Sequence, residues 1–250
     1  MPTKHCDKHG DYEPLYYDGF GISYESDCPL CVEEYEIEEA RNQAIDIDYQ
    51  SIERAKSMNI RPEFQRASFD NFIANTDRLS SALERTKQLV KGELLSLVYA
   101  GSCGTGKTHL ACAALNTKGS GRIMTMYEIS ATIRASFTAR ATMTELEIVN
   151  ELASVPLLVI DEIGRSKGSE SEFSWLSYII DKRHSSYLGT ILISNKHFGA
   201  DCPSHGCSDC VENYFGADII SRIGQKGYMI RFEGEDFRKR KPVDKTEAKV

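Results

Sequence analysis

Eight consecutive residues near the middle of the chain combine glycine, lysine and threonine at a spacing suited to holding a phosphate chain. They match the pattern G-x-x-x-x-G-K-[ST] at every fixed position. The glycines let backbone N–H groups surround a phosphate, Lys107 can reach the β and γ oxygens, and the Thr108 hydroxyl can hold Mg²⁺. With the next residue, the predicted nucleotide-binding residues are Gly101, Ser102, Cys103, Gly104, Thr105, Gly106, Lys107, Thr108 and His109.

Two carboxylates, Asp161 and Glu162, follow the aliphatic run 157–160. A buried strand that delivers two acids at its end is typical of nucleotide hydrolysis. We expect Asp161 to complete the coordination of Mg²⁺ and Glu162 to orient or deprotonate the water that attacks the γ-phosphate. The loop has matching context, because an apolar run at residues 94–100 predicts a strand before it and residues 109–115 predict a helix after it.

Three further polar residues could complete a hydrolytic site. Asn195 ends the predicted strand 190–195, where its amide could hydrogen-bond the γ-phosphate or the water, although a simple strand-end turn would have the same sequence. Arg222, in a predicted short helix at 218–223, and Arg238, in a final helical turn, could neutralise charge on a transferring phosphoryl group. Surface ion pairs are the alternative for both arginines.

Cysteine and histidine form two clusters with metal-ligand spacing. Cys6-x-x-His9 and Cys28-x-x-Cys31 are separated by a spacer suited to a two-stranded ribbon, which predicts a tetrahedral zinc site, with His5 as a substitute ligand and incidental thiols as the alternative. A second zinc site would use Cys202, Cys207 and Cys210 with His205, or with His197 in its place. This second cluster lies in a predicted outward insertion at residues 198–216, and the sequence leaves metal binding there open.

A long helix predicted from Val32 to about Met58 joins the first cluster to the rest of the chain. Small and apolar residues recur along it at steps of three and four and form a narrow seam, which either docks another protein or packs on the chain's own domain. Pro62 ends this region and marks a domain boundary. The seam consists of Ile37, Ala40, Ala44, Ile47, Ser51 and Ala55.

Basic residues alternate with an aromatic one after the next predicted strand, 121–126. Arg134, Phe137 and Arg140 could grip single-stranded nucleic acid through phosphate contacts and base stacking. An amphipathic helix with Phe137 facing the core and its arginines facing water would give the same pattern.

Charge and composition restrict the class of protein. The net charge of −7 belongs to the N-terminal region, because residues 1–60 hold 5 basic and 14 acidic side chains. No apolar run is long enough to span a bilayer and the first residues lack a signal peptide, so we expect a cytoplasmic protein with reduced thiols and no membrane partner. Residues 241–250 are predicted to be a disordered tail.

Together these segments resemble the AAA+ ATPases of the DnaC type, which load the hexameric replicative helicase, and their relative IstB, a transposition helper. The resemblance covers roughly residues 60–240 and rests on GSCGTGKTHLA, LLVIDEIG, IIDKRHSS, TILISN and ISRI. It implies an α/β fold with a five-stranded parallel sheet, here preceded by a small zinc-binding module and the long helix. The zinc module departs from the DnaC pattern and looks like bacteriophage versions of the loader.

The resemblance also implies roles for single residues. Asp161 and Glu162 look like the Walker B pair and Asn195 like the sensor residue. Arg222 takes the place of the arginine finger that acts on ATP of a neighbouring subunit, and Arg238 resembles the second sensor. Such a site is complete only after self-association, so we expect slow hydrolysis by the isolated protein.

Three functions follow as hypotheses. The first is an ATP-dependent helicase loader that holds a DnaB-type helicase through residues 1–60 and single-stranded DNA through its ATPase domain at residues 61–240. The second is an IstB-like transposition helper that binds duplex DNA. The third is a non-catalytic zinc adaptor on an ATPase scaffold, against which the complete set Lys107, Asp161, Glu162 and Asn195 argues.

Overall fold

In a computed structural model of the chain, the structure describes residues 3–19, 22–165, 169–202, 207 and 210–239. The chain forms two compact units, residues 1–51 and residues 52–250. The predicted tail at 241–250 lies outside the described residues. No helix within the described ranges is long and apolar enough to cross a membrane.

The first unit begins with two small antiparallel hairpins. The first pairs Cys6 with Gly10, and in the second the rings of Tyr17 and Tyr24 stack with centroids 5.1 Å apart. Hairpins this short bury too few apolar side chains to be stable without a metal ion or another constraint. The strands are β1 (Lys4–Cys6), β2 (Gly10–Tyr12), β3 (Tyr16–Gly19) and β4 (Ile22–Glu25).

Helix α1 (Pro29–Ser57) begins in the first unit and ends in the second. Its seam residues Ile37 and Ile47 are exposed, whereas Ala55 near its C-terminal end is buried.

The second unit alternates helices and strands. Its elements are α2 (Asp77–Lys91), β5 (Ser96–Gly101), α3 (Lys107–Lys118), β6 (Arg122–Thr125), α4 (Met126–Ala135), α5 (Glu145–Ser154), β7 (Leu157–Ile163), α6 (Glu170–Ser185), β8 (Gly189–Ser194), α7 (Val211–Gln225) and β9 (Gly227–Phe232). Short 3-10 turns occur at Pro62–Phe64, Gly199–Asp201 and Phe237–Lys239.

The five strands of this unit form one parallel sheet in the order β6-β7-β8-β5-β9, which confirms the predicted fold class. Alternate side chains of β5 enter different cores: Leu97 and Tyr99 pack with α2 and α3, while Val98 and Ala100 pack with α4 to α7. Burial on both faces explains why the strands are nearly continuous apolar runs. In such a sheet the carboxyl ends of all strands meet at one edge, where ligands bind.

Capping boxes fix the start of three helices around this sheet. Thr125, Thr144 and Ser169 each accept a hydrogen bond from the backbone N–H three residues later, where a glutamate bonds back to the cap. Each box satisfies two backbone groups that the helix itself leaves without a partner. The first turns of α4, α5 and α6 are thereby set by local sequence.

Helix α7 differs from the prediction. The expected short helix at 218–223 is its second half, joined to the first across a kink at Gly216, whose φ is 73°. Val211, Tyr214 and Phe215, which the sequence placed in an outward insertion, are buried in the core. Their apolar side chains pack in the same core as those of α6, so residues 211–215 of the predicted insertion belong to the body of the domain.

Candidate functional site

The phosphate-binding loop lies between β5 and α3 at the carboxyl edge of the sheet. Gly101, Gly104 and Gly106 have φ values of 134°, 77° and 91°, which other residues rarely adopt. A Cβ atom on Gly101 would lie 2.0 Å from the carbonyl oxygen of Phe232 in β9. Gly106 precedes the first residue of α3, so the open N–H groups and positive dipole end of that helix face the loop.

Lys107 turns back into the loop. Its Nζ donates hydrogen bonds to the carbonyl oxygens of Gly101 and Ser102 at 2.8 and 2.5 Å, and the residue is 5% exposed. Burial lowers the pKa of Lys107 to about 8. The ammonium group is therefore poorly solvated, and a bound phosphate chain would be a strong partner for it.

The two predicted magnesium ligands are in direct contact. Thr108 Oγ1 donates a hydrogen bond to Asp161 Oδ2 at 2.8 Å, and the backbone N–H of Glu162 donates to Asp161 Oδ1 at 2.6 Å. Burial raises the pKa of Asp161. The hydroxyl and carboxylate oxygens are hard donors of the kind that Mg²⁺ prefers, so the residues present fit this ion.

Two arginines missed by sequence analysis lie beside these carboxylates. The Arg61 guanidinium is 3.9 Å from Asp161 Oδ2. Arg165 Nη1 donates to both carboxylate oxygens of Glu162 at 2.8 Å. Neither arginine belongs to a local motif, and only the folded chain brings Arg61 to a strand end 100 positions later.

Glu162 has φ 56°, which is unusual for a residue with a side chain and signals local strain. Such strain of about 1–3 kcal/mol is maintained only where the surroundings fix the backbone, and it concentrates at functional sites. The Glu162 carboxylate leaves the strand beside Asp161, at the same edge of the sheet as the loop.

Asn195 directly follows β8, which lies between β7 and β5 in the sheet. Ser194 pairs with Ile163 across the two strands and its Oγ donates to the Ile163 carbonyl at 2.8 Å. The fold therefore places exposed Asn195 between the strand with the acidic pair and the strand that enters the loop.

Arg238 belongs to a segment that contacts the loop. The Phe237 N–H donates to the Gly104 carbonyl at 2.9 Å. Burial is the main cause of the lowered pKa of Lys107; Asp161 opposes it, and the charge of Arg238 adds a smaller lowering effect. Phosphate oxygens bound in the loop would be anionic partners for both cations.

Arg222 lies far from this loop within its own chain. It forms an ion pair with Asp181 of α6. Helix α7 ends just before Gly227, which pairs with Ser96, the first residue of β5. Arg222 thus sits near the amino edge of the sheet, opposite the edge that carries Gly101, and one chain cannot bring it to its own phosphate loop.

The first cysteine cluster converges as predicted. The ligand atoms of Cys6, His9, Cys28 and Cys31 all lie within 4.8 Å of one another, with His9 Nδ1 3.3 Å from Cys31 Sγ and 3.6 Å from Cys28 Sγ. Ligands at about 2.0–2.3 Å from a tetrahedral zinc ion are separated by about 3.3–3.8 Å. His5 instead pairs with Asp11 at 2.6 Å.

The second cluster contains His197, Cys202, Cys207 and Cys210, again within 4.8 Å of one another. His197 was the alternative histidine in the sequence analysis, and His205 lies outside the described residues.

Arg134, Phe137 and Arg140 occupy the end of α4 and the turn after it, and all three are exposed. Phe137 is 66% exposed, so the alternative that it faces the core is wrong. Helix α4 ends at Ala135, two residues before Phe137.

Comparison with known proteins shows similarity to a family of ATP-binding proteins and to a helicase loader. Residues 62–245 match the family described as IstB-like ATP binding protein. The replicative helicase loader DnaC of Escherichia coli strain K12 is 32% identical over 167 residues, which cover 63% of this chain and 68% of that protein.

Solved structures share the fold. The crystal structure of DnaI superposes with a TM-score of 0.56 at 25% identity, covering 74% of this chain and all of that one. The crystal structure of the DnaC helicase loader gives a TM-score of 0.57 at 21% identity, covering 69% of this chain and all of that one.

Proposed function

Because the chain belongs to the family of IstB-like ATP-binding proteins, we propose that it is an ATP-dependent loader of a hexameric replicative helicase. The chain carries an AAA+ P-loop ATPase domain, and the similar protein DnaC of Escherichia coli is named a replicative helicase loader. The observation that carries the ATP-dependent part is the contact between Thr108 and Asp161, which joins the phosphate loop to the acidic end of β7.

We assign the ATP chemistry to residues at the carboxyl edge of the sheet. Lys107 and the N–H groups at the start of α3 bind the phosphate chain, and Thr108 and Asp161 hold Mg²⁺, which supplies charge neutralisation on the phosphate oxygens when bound. Glu162 orients the attacking water, with Arg165 holding its carboxylate. Asn195 hydrogen-bonds the γ-phosphate, and Arg238 contributes a second cation beside Lys107.

Arg222 acts on ATP bound by a neighbouring subunit. Its position near the amino edge of the sheet supports this role, because the ATP of its own chain lies at the other edge. Hydrolysis then needs at least two subunits, and the isolated protein is slow. Self-association through the ATPase domain therefore acts as the control on turnover.

The N-terminal unit binds the helicase. Cys6, His9, Cys28 and Cys31 hold a zinc ion that stabilises the hairpins at the start of α1. Exposed Ile37 and Ile47 on α1 supply apolar contacts, and the acidic character of this unit disfavours direct contact with DNA phosphates. A bacteriophage origin for this form of loader stays a prediction.

Single-stranded DNA contacts the segment after α4. Exposed Phe137 offers a surface for base stacking, and exposed Arg134 and Arg140 flank it with positive charge. Duplex DNA offers no unstacked base to such a group, which favours single-stranded DNA as the ligand. A protein with these partners works in the cytoplasm.

Co-purification tests the assignment against its alternatives. The full chain is mixed with a DnaB-type helicase or with a transposase, in the presence of ATP and either single-stranded or duplex DNA. A helicase loader retains the helicase and single-stranded DNA. Retention of the transposase and duplex DNA instead would establish the transposition helper, and retention of the helicase with no effect of Lys107→Ala would establish the non-catalytic adaptor.

A further inference from the structure

We propose that His197, Cys202, Cys207 and Cys210 bind a structural zinc ion that fixes the segment after β8 to the start of α7. The proposal concerns a second site, inside the ATPase unit, which the ATP chemistry does not use. Zinc binding at this site is independent of the proposed function, whereas its consequence for ATP hydrolysis rests on the proposed function.

The ligand atoms already surround a common point. His197 Nε2 lies 3.4 Å from Cys210 Sγ and 3.7 Å from Cys207 Sγ. The thiols of Cys202 and Cys207 are both within hydrogen-bonding reach of Cys210. These separations match the edges of a tetrahedron of about 3.3–3.8 Å around zinc, given ligand distances of about 2.0–2.3 Å.

The donor set favours zinc in a closed structural site. Three thiolates and one imidazole fill a tetrahedral shell and leave no position for water or substrate, as in structural zinc sites. Disulfides account for the cluster less well, because three cysteines leave one thiol over and give no role to the imidazole that contacts two of them.

The backbone holds two of these ligands together. His197 and Cys210 form a parallel β-bridge, and the Val211 N–H donates to the His197 carbonyl at 2.8 Å. Cys210 is 2% exposed and is the N-cap residue of α7, yet its side chain makes no capping hydrogen bond. Its thiol is thus directed to the cluster rather than to the helix end.

The position of the site connects two parts of the catalytic apparatus. His197 is two residues after Asn195, and Cys210 starts the helix that carries Arg222. The Gly199 N–H also donates to Glu212 Oε2 at 2.8 Å, which adds a second link between the same segments. A zinc ion here would fix the sensor end of β8 relative to the helix that presents Arg222 to a neighbour.

Metal analysis of purified full-length proteins tests the site. The wild type should contain two zinc ions per chain, the double variant Cys6→Ser/Cys31→Ser one, and Cys207→Ser one. His197→Asn should also lose one ion, whereas His205→Asn should keep two. Two ions in Cys207→Ser or His197→Asn, or a wild type whose single ion is lost in Cys6→Ser/Cys31→Ser, would overturn the proposal.

A spectroscopic measurement avoids dependence on the folding of the Cys207 variant. The double variant Cys6→Ser/Cys31→Ser, loaded with Co²⁺ in place of zinc, should show the sulfur-to-metal absorption of tetrahedral thiolate ligation. Absence of this absorption in a protein that retains its far-ultraviolet circular dichroism would contradict the site.

The catalytic consequence has its own readout. In His197→Asn, binding of a fluorescent ATP analogue should stay within about twofold of wild type, while assembly-stimulated hydrolysis should fall at least tenfold. Unchanged hydrolysis in a variant that has lost one zinc would refute the link to Asn195 and Arg222. A failure of the proposed function can be distinguished from a failure of the zinc site. In that case the wild type would contain two zinc ions but would not retain helicase.

Discussion

Thr108 Oγ1 donates a 2.8 Å hydrogen bond to Asp161 Oδ2, although the two residues are 53 positions apart. Thr108 lies in the first turn of α3 and Asp161 near the end of β7, so the bond joins the phosphate loop to the acidic strand across the edge of the sheet. Asp161 is buried and its other oxygen accepts the Glu162 N–H. The Thr108 hydroxyl and the Asp161 carboxylate are both oxygen ligands of the kind that Mg²⁺ prefers, and the hydrogen bond shows that they lie next to each other.

Asp161→Asn should lower ATP hydrolysis by at least about a hundredfold, because it removes a charged magnesium ligand while keeping the shape of the side chain. Mg²⁺-dependent ATP binding, measured by titration with and without the ion, should lose its dependence on Mg²⁺. Thr117→Ala is the control, since Thr117 lies on the same helix as Thr108 and its hydroxyl donates to the Ala113 carbonyl within that helix. Hydrolysis by Asp161→Asn close to that of Thr117→Ala would contradict the assignment.

Hydrolysis should be abolished in Arg222→Ala and also in Lys107→Ala. A mixture of the two variants should hydrolyse ATP again. The first variant keeps an ATP site but offers no arginine, whereas the second offers the arginine but binds no ATP. A mixed interface therefore contains one complete site, and activity should rise with the concentration of the mixture.

The steady-state rate of the equimolar mixture is compared with the rates of both variants alone. As a control, the double variant Lys107→Ala/Arg222→Ala should restore no hydrolysis when it is mixed with either single variant. Full activity of Arg222→Ala by itself, or activity of the wild type that is independent of concentration, would show that Arg222 does not act across subunits.

Phe137→Ala should weaken binding of single-stranded DNA by about 1–3 kcal/mol, the usual contribution of one stacked base. Fluorescence anisotropy with a labelled oligonucleotide at fixed salt measures the change. Tyr127→Ala serves as the matched control, because Tyr127 is an exposed aromatic residue of α4, the helix that precedes Phe137, and lacks the two flanking arginines. An equal loss of DNA affinity in the two variants would contradict a stacking role for Phe137.

Arg183→Met should lower the free energy of unfolding by at least about 3 kcal/mol, because several buried acceptors would lose their donor at a cost of about 1–3 kcal/mol each. Arg183 is fully buried and bonds Thr190 Oγ1 at 2.9 Å, the Val155 carbonyl at 2.7 Å and the Gly189 carbonyl.

Urea denaturation measures this effect, with Lys182→Met as the control, since Lys182 is the exposed neighbour on α6. The control should change stability by less than about 0.5 kcal/mol. A loss in Arg183→Met as small as that of the control would mean that the buried bonds of Arg183 contribute little.

The sequence predicted those parts of the site that depend on local spacing. The phosphate loop, the acidic pair and the first Cys/His cluster each consist of residues whose types and intervals carry the chemistry, and the structure brings the members of each group together. The parallel sheet followed from apolar runs that alternate with helical periodicity.

Other features depend on contacts between distant segments. Arg61 reaches Asp161, and Arg222 pairs with Asp181 only after α6 and α7 pack together. The sequence predicts only the second half of α7, because residues 211–216 fall in the expected insertion. Burial of Phe215 instead makes this segment the first half of a helix that continues across the kink at Gly216. No local pattern signals such pairings.

Loading of a replicative helicase onto closed circular single-stranded DNA is the direct test of this protein as a helicase loader. The helicase, the circle, ATP and the full-length protein are incubated, and helicase that remains on the DNA after gel filtration in high salt is quantified. We expect stable loading to require this protein and to fall at least tenfold in Lys107→Ala. Equal loading with the wild type, with Lys107→Ala and with no added protein would contradict it.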